Sequence, residues 1–220
     1  MRKQKAPKKR ALRFLITAGP TREALDPVRY FSNRSSGKMG YALAAAASRL
    51  GSVTLISGPV SLTPPRPVKI IRVETAKEMA RAVLRKFRSS DVILQCAAVA
   101  DYSPARAPKH KIKKTGTPLS IKMVPTLDIL SVLGRRKKAG QLLIGFAAET
   151  HGLKKNALLK LRSKNLDFIV ANPVGKKSSG LESDFNQAVV FGRGGFEKKF
   201  PRMTKAGLAR KLLTLFLTKS

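Results

Sequence analysis

The chain has 220 residues, a length that suits one compact domain with a sizeable core. Its 45 Lys and Arg residues outnumber 12 Asp and Glu. The formal charge of +33 calls either for an anionic partner, such as nucleic acid, an acidic surface or a polyanionic small molecule, or for an explanation in solubility. The single cysteine excludes an internal disulfide and fits a reducing, cytoplasmic compartment, and no apolar stretch reaches the roughly 18 residues of a transmembrane helix.

Residues 1–12 are predicted to form a disordered basic arm ahead of a single domain at 13–220. The apolar run 14–18 predicts a buried strand that ends at Gly19. A polar loop then leads into an Ala-rich helix at 39–50, for which Ser35 or Ser36 is the expected cap. Such a helix start suits a phosphate or carboxylate, but an ordinary capped helix explains the same residues equally well.

This helix start is not a P-loop. That motif requires a glycine five positions before Gly37, and Ser32 stands there.

The next segments continue the alternation of strands and helices. A strand at 53–57, a loop with three prolines at 61–67 and a half-exposed strand at 68–73 are predicted in turn. Thr75 and Glu78 have the spacing of a capping box, which predicts a helix to about residue 88.

Residues 91–98 form the most continuous apolar run, typical of a strand at the centre of a parallel sheet. Cys96 lies in this run, so we expect its thiol to pack in the core rather than to act as a nucleophile. Asp101 follows in a loop of small residues. Because ligands bind at the carboxyl ends of strands in open α/β sheets, a role for Asp101 in binding is favoured over that of an ordinary turn residue.

A flexible flap is predicted at about 104–118, where Lys and Pro are frequent and apolar residues are rare. It carries Lys109, Lys111, Lys113 and Lys114. A solvated loop is the common explanation of such a charge run, and a lid that holds lysines over a phosphate is the alternative.

The remaining chain predicts a strand at 119–124, a helix capped by Thr126, strands at 142–147 and 167–172, a hairpin at 188–200 and a closing helix at 204–218. On a further helix at 153–163 and just beyond it, Lys160 and Lys164 share one face, as they would around an anion. The predicted fold is therefore a doubly wound, mostly parallel Rossmann-like α/β sheet with a C-terminal β-hairpin and helix.

The residues alone favour chemistry on a nucleoside triphosphate, because strand-end loops, a helix start, an acidic group and many lysines can position and neutralise a polyanion, with Mg²⁺ as a candidate ion. His110 and His151 lie in unrelated loops, so no Ser-His-Asp set is present. No Cys/His cluster has the spacing of a zinc site.

Seven separated blocks, in order TAGPTRE, DPVR, SNRSSGKMG, AAVADY, KIKK, GFAAET and KNLDFIVAN, resemble the phosphopantothenate-cysteine ligase family of coenzyme A biosynthesis. The resemblance extends from about residue 15 to about residue 191. It implies that CTP, in bacterial members, activates the carboxylate of 4'-phosphopantothenate as an acyl-cytidylate with release of pyrophosphate. The amine of cysteine then attacks, giving 4'-phosphopantothenoylcysteine and CMP.

The resemblance also implies roles for individual residues. The implied catalytic residues are Asn33 and Lys111, and those that bind the phosphopantothenate are Arg29, acting across a homodimer interface, with Asn33, Ser36, Gly37, Ala97 and Ala98. Those that bind CTP are Gly19, Gln95, Cys96, Ala97, Asp101, Lys111, Leu127, Asp128, Ile129, Leu130, Phe146, Lys160 and Lys164. Leu127 replaces a family proline, and Pro125-Thr126 replaces a Lys-Asn or Lys-Thr pair of the family, so the family pattern does not extend to this turn.

The resemblance covers the ligase unit alone, so a separate phosphopantothenoylcysteine decarboxylase is the expected pathway partner. The competing hypothesis is a basic α/β module that binds nucleic acid, which the charge favours but which lacks any recognisable binding motif. An NAD(P)-dependent oxidoreductase is disfavoured because no GxGxxG follows the first strand.

Overall fold

The structure is a computed structural model that describes residues 10–174 and 182–219. Of the predicted basic arm, only residues 10–12 lie in this range, and Leu12 is already part of the first strand. In chain order the elements are β1 (Leu12–Ala18), β2 (Arg22–Ala24), β3 (Tyr30–Ser32), α1 (Lys38–Ala47), β4 (Gly51–Ser57), β5 (Lys69–Arg72), α2 (Ala76–Phe87), β6 (Val92–Gln95), β7 (Tyr102–Pro104), β8 (Met123–Pro125), α3 (Ile129–Arg136), β9 (Leu142–Glu149), α4 (Leu153–Ser163), β10 (Phe168–Pro173), β11 (Phe185–Gly192), β12 (Glu197–Thr204) and α5 (Lys205–Lys219).

The main sheet has the strand order β12-β11-β10-β9-β6-β1-β4-β5. Strands β5, β4, β1, β6, β9 and β10 are parallel, and the β11–β12 hairpin adds two antiparallel strands at one end. The chain runs outward from β1 to β5 and then returns to β6 on the other side of β1. The switch point of a Rossmann-type sheet therefore lies between β1 and β6. The predicted fold is confirmed, including the central position of the apolar strand β6.

The helices cover both faces of the sheet. Helices α1 and α5 pack on one face over alternate residues of the strands, such as Phe14 and Ile16, while α2, α3 and α4 pack on the other face over Leu15 and Ile93. This division follows from the alternation of side chains along each strand. Parallel strands buried on both faces explain the continuous apolar runs in the sequence.

Two helix caps differ from the prediction. Helix α1 starts at Lys38, and its N-cap is Gly37, which has a left-handed φ of 75° and no side chain to cap the helix. The hydroxyl of Ser35 instead accepts a hydrogen bond from the amide of Gly37 at 3.4 Å. Asp128, not Thr126, caps α3 by accepting a hydrogen bond from the Ser131 amide at 3.0 Å. The hydroxyl of Thr126 instead donates to the carbonyl of Ala100, at 2.6 Å, in the loop after β6.

Two short antiparallel ribbons, β2–β3 and β7–β8, were not predicted as pairs. They lie in the loops that follow β1 and β6. Of the strand predicted at 119–124 only its end is found, as β8, because regular pairing with β7 covers just three residues. Of the flap predicted at about 104–118, Pro104 ends β7, and residues 105–118 contain no helix or strand. The capping box of Thr75 and Glu78 is present as predicted.

Candidate active site

A cavity of about 340 Å³ opens at the carboxyl edge of the sheet, beside the switch point. The loop after β6 supplies one wall, the end of β9 supplies another, and the first turn of α3 closes a third. Its lining includes Asn33, Gln95, Ala97, Ala98, Asp101, Thr126, Leu127, Asp128, Ile129, Leu130, Phe146, Lys160 and Lys164. We call this cavity the main cavity.

Buried threonine hydroxyls hold the loop after β6 in place. The hydroxyl of Thr17, at the end of β1, accepts hydrogen bonds from the amides of Cys96 and Ala97, both at 3.0 Å. Thr21 accepts in the same way from the amide of Ala100 at 2.9 Å. Because both hydroxyls are fully buried, these bonds fix the backbone of the loop where it faces the main cavity.

Asn33 lies over this loop. Its Nδ2 donates to the carbonyl of Ala98 at 3.0 Å, and the side chain is exposed to the cavity. The contact places a neutral amide donor next to two small residues, Ala97 and Ala98, that leave the backbone accessible. A carbonyl or phosphoryl oxygen bound here would meet Asn33 directly.

Both lysines of the main cavity form ion pairs. The Nζ of Lys160 lies 2.7 Å from Oε1 of Glu149, and that of Lys164 lies 2.9 Å from Oδ2 of Asp128. Burial raises the pKa of both carboxyls, but hydrogen bonds from the lysines and from Asn156 or Ser131 outweigh it, so each pKa falls below its ordinary value. A bound polyanion would therefore compete with Glu149 and Asp128 for the ammonium groups of Lys160 and Lys164.

A smaller cavity adjoins the main cavity and shares Ala97, Ala98 and Phe146 with it. The start of α1 forms one side, and the remaining lining residues include Cys96, Asn172, Asn186 and Lys205. Burial lowers the pKa of the Lys205 ammonium, and the nearby ammonium of Lys38 lowers it further. Burial raises the pKa of the Cys96 thiol to about 12, which keeps it protonated and unreactive near neutral pH.

Arg29 and Lys111 lie outside both cavities. They line a separate surface depression with residues 112–115 of the flap. Arg29 is bound to the carboxylate of Asp26, and its Nη2 donates to the carbonyl of Ile112 at 3.1 Å. Within this chain, therefore, the structure does not bring these two residues to the other predicted site residues.

Most of the predicted residues do come together. The main cavity collects Asn33, Asp101, Lys160 and Lys164, together with the predicted residues of α3 and of the β6 and β9 ends. Gly37 and Cys96 line the smaller cavity. Gly19 lies beneath the start of α1, since a Cβ added at Gly37 would lie 3.3 Å from its Cα. Ser36 immediately precedes Gly37 but lines neither cavity.

Sequence reasoning missed the polar residues of the smaller cavity. Asn172 ends the predicted strand 167–172, so the rule that ligands bind at strand ends could have found it. No sequence pattern distinguishes Lys205 from the other lysines, which are frequent throughout the chain. Within the described part of the chain, no group of three or more His, Cys, Asp or Glu could hold a metal ion.

The sheet order and the main cavity define a Rossmann-like α/β protein whose candidate site lies at the topological switch point. A family model described as the C-terminal domain of the DNA/pantothenate metabolism flavoproteins matches residues 10–219. The chain belongs to this family.

Curated relatives agree with this assignment. The chain is 47% identical over 201 residues to the coenzyme A biosynthesis bifunctional protein CoaBC of Bacillus subtilis, covering 90% of this chain and 49% of that protein. It is 47% identical over 212 residues to CoaBC of Escherichia coli strain K12, covering 94% and 52%. The chain thus spans about half the length of these relatives.

Solved structures show the same fold. The C-terminal domain of a CoaBC protein aligns with a TM-score of 0.80 at 41% identity, covering 96% of this chain and 98% of that one. A mutant of Cab2 in complex with phosphopantothenate-cysteine aligns with a TM-score of 0.77 at 17% identity, covering 96% and 86%. In residues 10–174 and 182–219, no helix has both the length and the apolar character needed to cross a membrane.

Proposed function

We propose that this chain catalyses the phosphopantothenate-cysteine ligase reaction. CTP activates the carboxylate of 4'-phosphopantothenate as an acyl-cytidylate, pyrophosphate leaves, and the cysteine amine displaces CMP to form the amide bond. The observation that carries the proposal is the main cavity, where Asn33, Asp101, Lys160 and Lys164 converge from distant parts of the sequence. Membership of the family, whose curated relatives here are coenzyme A biosynthesis proteins, supports it.

The cavity suits the formation of a mixed anhydride. A free carboxylate has no leaving group to surrender to an amine, so it must first be joined to a phosphoryl group. Lys160 and Lys164 would neutralise the polyphosphate by exchanging their carboxylate partners for phosphate oxygens. Asn33 would then donate to the acyl carbonyl as negative charge develops on its oxygen during attack by the amine.

Magnesium fits the cavity as an ion carried by the nucleotide. Mg²⁺ is usually held by one or two carboxylates together with substrate phosphates, and Asp101 offers an exposed carboxylate on the cavity wall. The ion would supply charge neutralisation of the phosphates. Asp128 is less available for it, because Lys164 and Ser131 already bind its carboxylate.

The proposal includes a homodimer. Val28, Tyr30 and Phe31, next to or within β3, are 61%, 49% and 46% exposed, and Tyr102 of the neighbouring ribbon is 53% exposed. Exposed aromatic and aliphatic side chains on adjoining ribbons are typical of a protein interface. Arg29 lies on the same loop as Val28, outside the main cavity of its own subunit, so we place its action on the substrate phosphate of the partner subunit.

The reaction can be tested in two stages. The protein is incubated with 4'-phosphopantothenate, Mg²⁺ and CTP, ATP or UTP without cysteine, and acyl-nucleotide and pyrophosphate are measured. We expect CTP to support both, and added cysteine to release CMP and phosphopantothenoylcysteine. Asn33→Ala is expected to slow the cysteine step. The proposal fails if no nucleoside triphosphate supports pyrophosphate release.

The net charge of +33 favours a subsidiary activity, weak non-specific binding of nucleic acid. Fluorescence anisotropy with a random-sequence oligonucleotide should show binding that weakens steeply with salt. A phosphopantothenoylcysteine decarboxylase would supply the next pathway step, and co-purification with this chain tests that partnership.

A further inference from the structure

The carboxamide of Gln95 is buried beside the main cavity without a hydrogen-bond partner for its oxygen. Gln95 is the last residue of β6 and is 6% exposed. Its Oε1 is a buried side-chain atom that has no partner among the described residues. Buried polar groups are almost always paired, so an unpaired carboxamide in a site indicates a group that a ligand satisfies.

The residues that flank Gln95 on the neighbouring strands do not bind its carboxamide, which therefore faces the main cavity without a partner among the described residues. Gln95 lies opposite Thr17 of β1 and Gly145 of β9, and facing residues of paired strands point to the same side of the sheet. The hydroxyl of Thr17 instead accepts from the amides of Cys96 and Ala97, and Gly145 has no side chain.

The surroundings select the kind of group that would bind here. Apolar side chains of Val99, Ile129, Leu130 and Ile169 line the same cavity as Gln95. A phosphate is a poor ligand for this part of the cavity, because its charge would be poorly solvated among apolar side chains. It also offers only hydrogen-bond acceptors, whereas the Gln95 carboxamide has both a donor and an acceptor to satisfy. A planar ring with a donor next to an acceptor satisfies both ends at once, and the base of a nucleotide is such a ring.

We propose that the side chain of Gln95 binds the hydrogen-bonding edge of the nucleobase and so contributes to the affinity for the nucleotide. With cytosine, Oε1 would accept from the N4 amino group and Nε2 would donate to N3. This inference rests on the proposed function, since it assigns the base of the same nucleotide. Gln95 binds the base in this scheme, and the reacting atoms lie elsewhere in the cavity.

The test uses Gln95→Met, which keeps the side-chain length and removes both hydrogen-bonding groups. Gln141→Met is the matched control, because the Gln141 carboxamide is fully used, with Nε2 donating to the carbonyls of Phe87 and Ser90 at 2.9 and 2.7 Å. Equilibrium binding of CTP, UTP, ATP and inorganic tripolyphosphate is measured for each protein, with KM and kcat for each nucleotide and the melting temperature without ligand.

We expect Gln95→Met to bind CTP about tenfold more weakly, as expected for the loss of hydrogen bonds to a base. Its affinity for tripolyphosphate, which has no base, should be unchanged. Its melting temperature should not fall, because no native hydrogen bond is removed. Gln141→Met should melt at a lower temperature and keep the nucleotide affinities of the parent.

Unchanged CTP affinity in Gln95→Met would overturn the inference. If that variant does not fold, Gln95→Leu is judged by the same criteria. The two proposals fail separately: a parent protein that binds nucleotides but releases no pyrophosphate removes the ligase reaction, while the binding measurements still decide the role of Gln95. A parent that binds no nucleoside triphosphate ends both.

Discussion

The buried carboxylate of Asp26 binds the guanidinium of Arg29, with Arg29 Nε 3.0 Å from Oδ2. The same carboxylate accepts from the backbone amide of Ile112 at 3.2 Å, and Arg29 donates to the carbonyl of Ile112. The Arg29 guanidinium beside Asp26, helped by the amides of Val28, Arg29 and Ile112, holds the pKa of that carboxyl far below its usual range. One charged pair therefore fastens the flap to the loop that precedes β3.

Removing the charge of Asp26 should loosen the flap. In Asp26→Asn we expect tryptic cleavage after Lys111 or Lys113 to be at least about fivefold faster, the effect of roughly 1 kcal/mol on a local opening equilibrium. Limited proteolysis followed by mass spectrometry measures the rate. Glu197→Gln, which removes an exposed ion pair with Lys154, is the control and should be cleaved like the parent. Cleavage of Asp26→Asn at the parental rate would contradict this role of Asp26.

Lys111 should matter for turnover and not for folding. It is exposed on the flap and contributes nothing to the core, so Lys111→Gln should change the free energy of unfolding by less than about 0.5 kcal/mol. If the flap brings Lys111 to the triphosphate, kcat should fall at least about tenfold. Lys77→Gln, an exposed lysine of α2, should leave kcat unchanged. A Lys111→Gln variant as active as the parent means that the proposed role of the flap is wrong.

The stability of the fold should depend on pH through Asp91. Its carboxylate accepts from the backbone amide of Arg13 at 2.9 Å and from the guanidiniums of Arg13 and Arg10. Hydrogen bonds from the Arg13 side chain, the largest influence, and from its backbone lower the pKa of Asp91 despite partial burial. The stabilisation is therefore complete above the unfolded pKa of about 3.9 and is lost as pH falls towards the lower folded value.

Urea unfolding at pH 7, 5 and 3 tests this dependence. Asp91→Asn should be less stable than the parent at pH 7 by about 1.5–3 kcal/mol, the usual worth of hydrogen bonds to a charged group. The difference should shrink between pH 5 and pH 3, as the parent loses the same contribution. A difference that stays constant over this range would show that Asp91 does not act through its charge.

Gly40 allows α1 to lie close to β1. A Cβ at this position would lie 2.5 Å from the Cβ of Ala18 and 2.9 Å from the carbonyl oxygen of Thr17, both on the strand. Gly40→Ala should therefore cost about 1–3 kcal/mol in the free energy of unfolding.

Gly207→Ala in α5 is the matched control for Gly40→Ala, because the new methyl group would meet only the hydroxyl of Thr204, at 3.1 Å. We expect it to be nearly neutral in urea unfolding, since alanine also favours the helix. Equal losses in the two variants would mean that close helix–strand contact is not the cause.

The fold followed from patterns that are local in the sequence. Apolar runs and three- to four-residue periodicity depend on neighbouring residues, and so does the capping box of Thr75 and Glu78, so these elements were predicted well. The short strands β2, β3 and β7 could not be predicted in the same way. They exist because distant segments supply their partners or supports, as the bond from Thr126 to Ala100 shows for the β7–β8 ribbon.

For the candidate site, the sequence by itself determined which residues stand at the carboxyl ends of parallel strands, and the geometry of such sheets gathers those ends along one edge. Only the tertiary structure decided which side chains become partners there. Lys160 and Lys164 face Glu149 and Asp128, Arg29 binds Asp26 and the flap, and Gln95 is left without a partner for its oxygen. The reason is that side-chain pairing depends on distances between residues far apart in the chain, which local patterns do not encode.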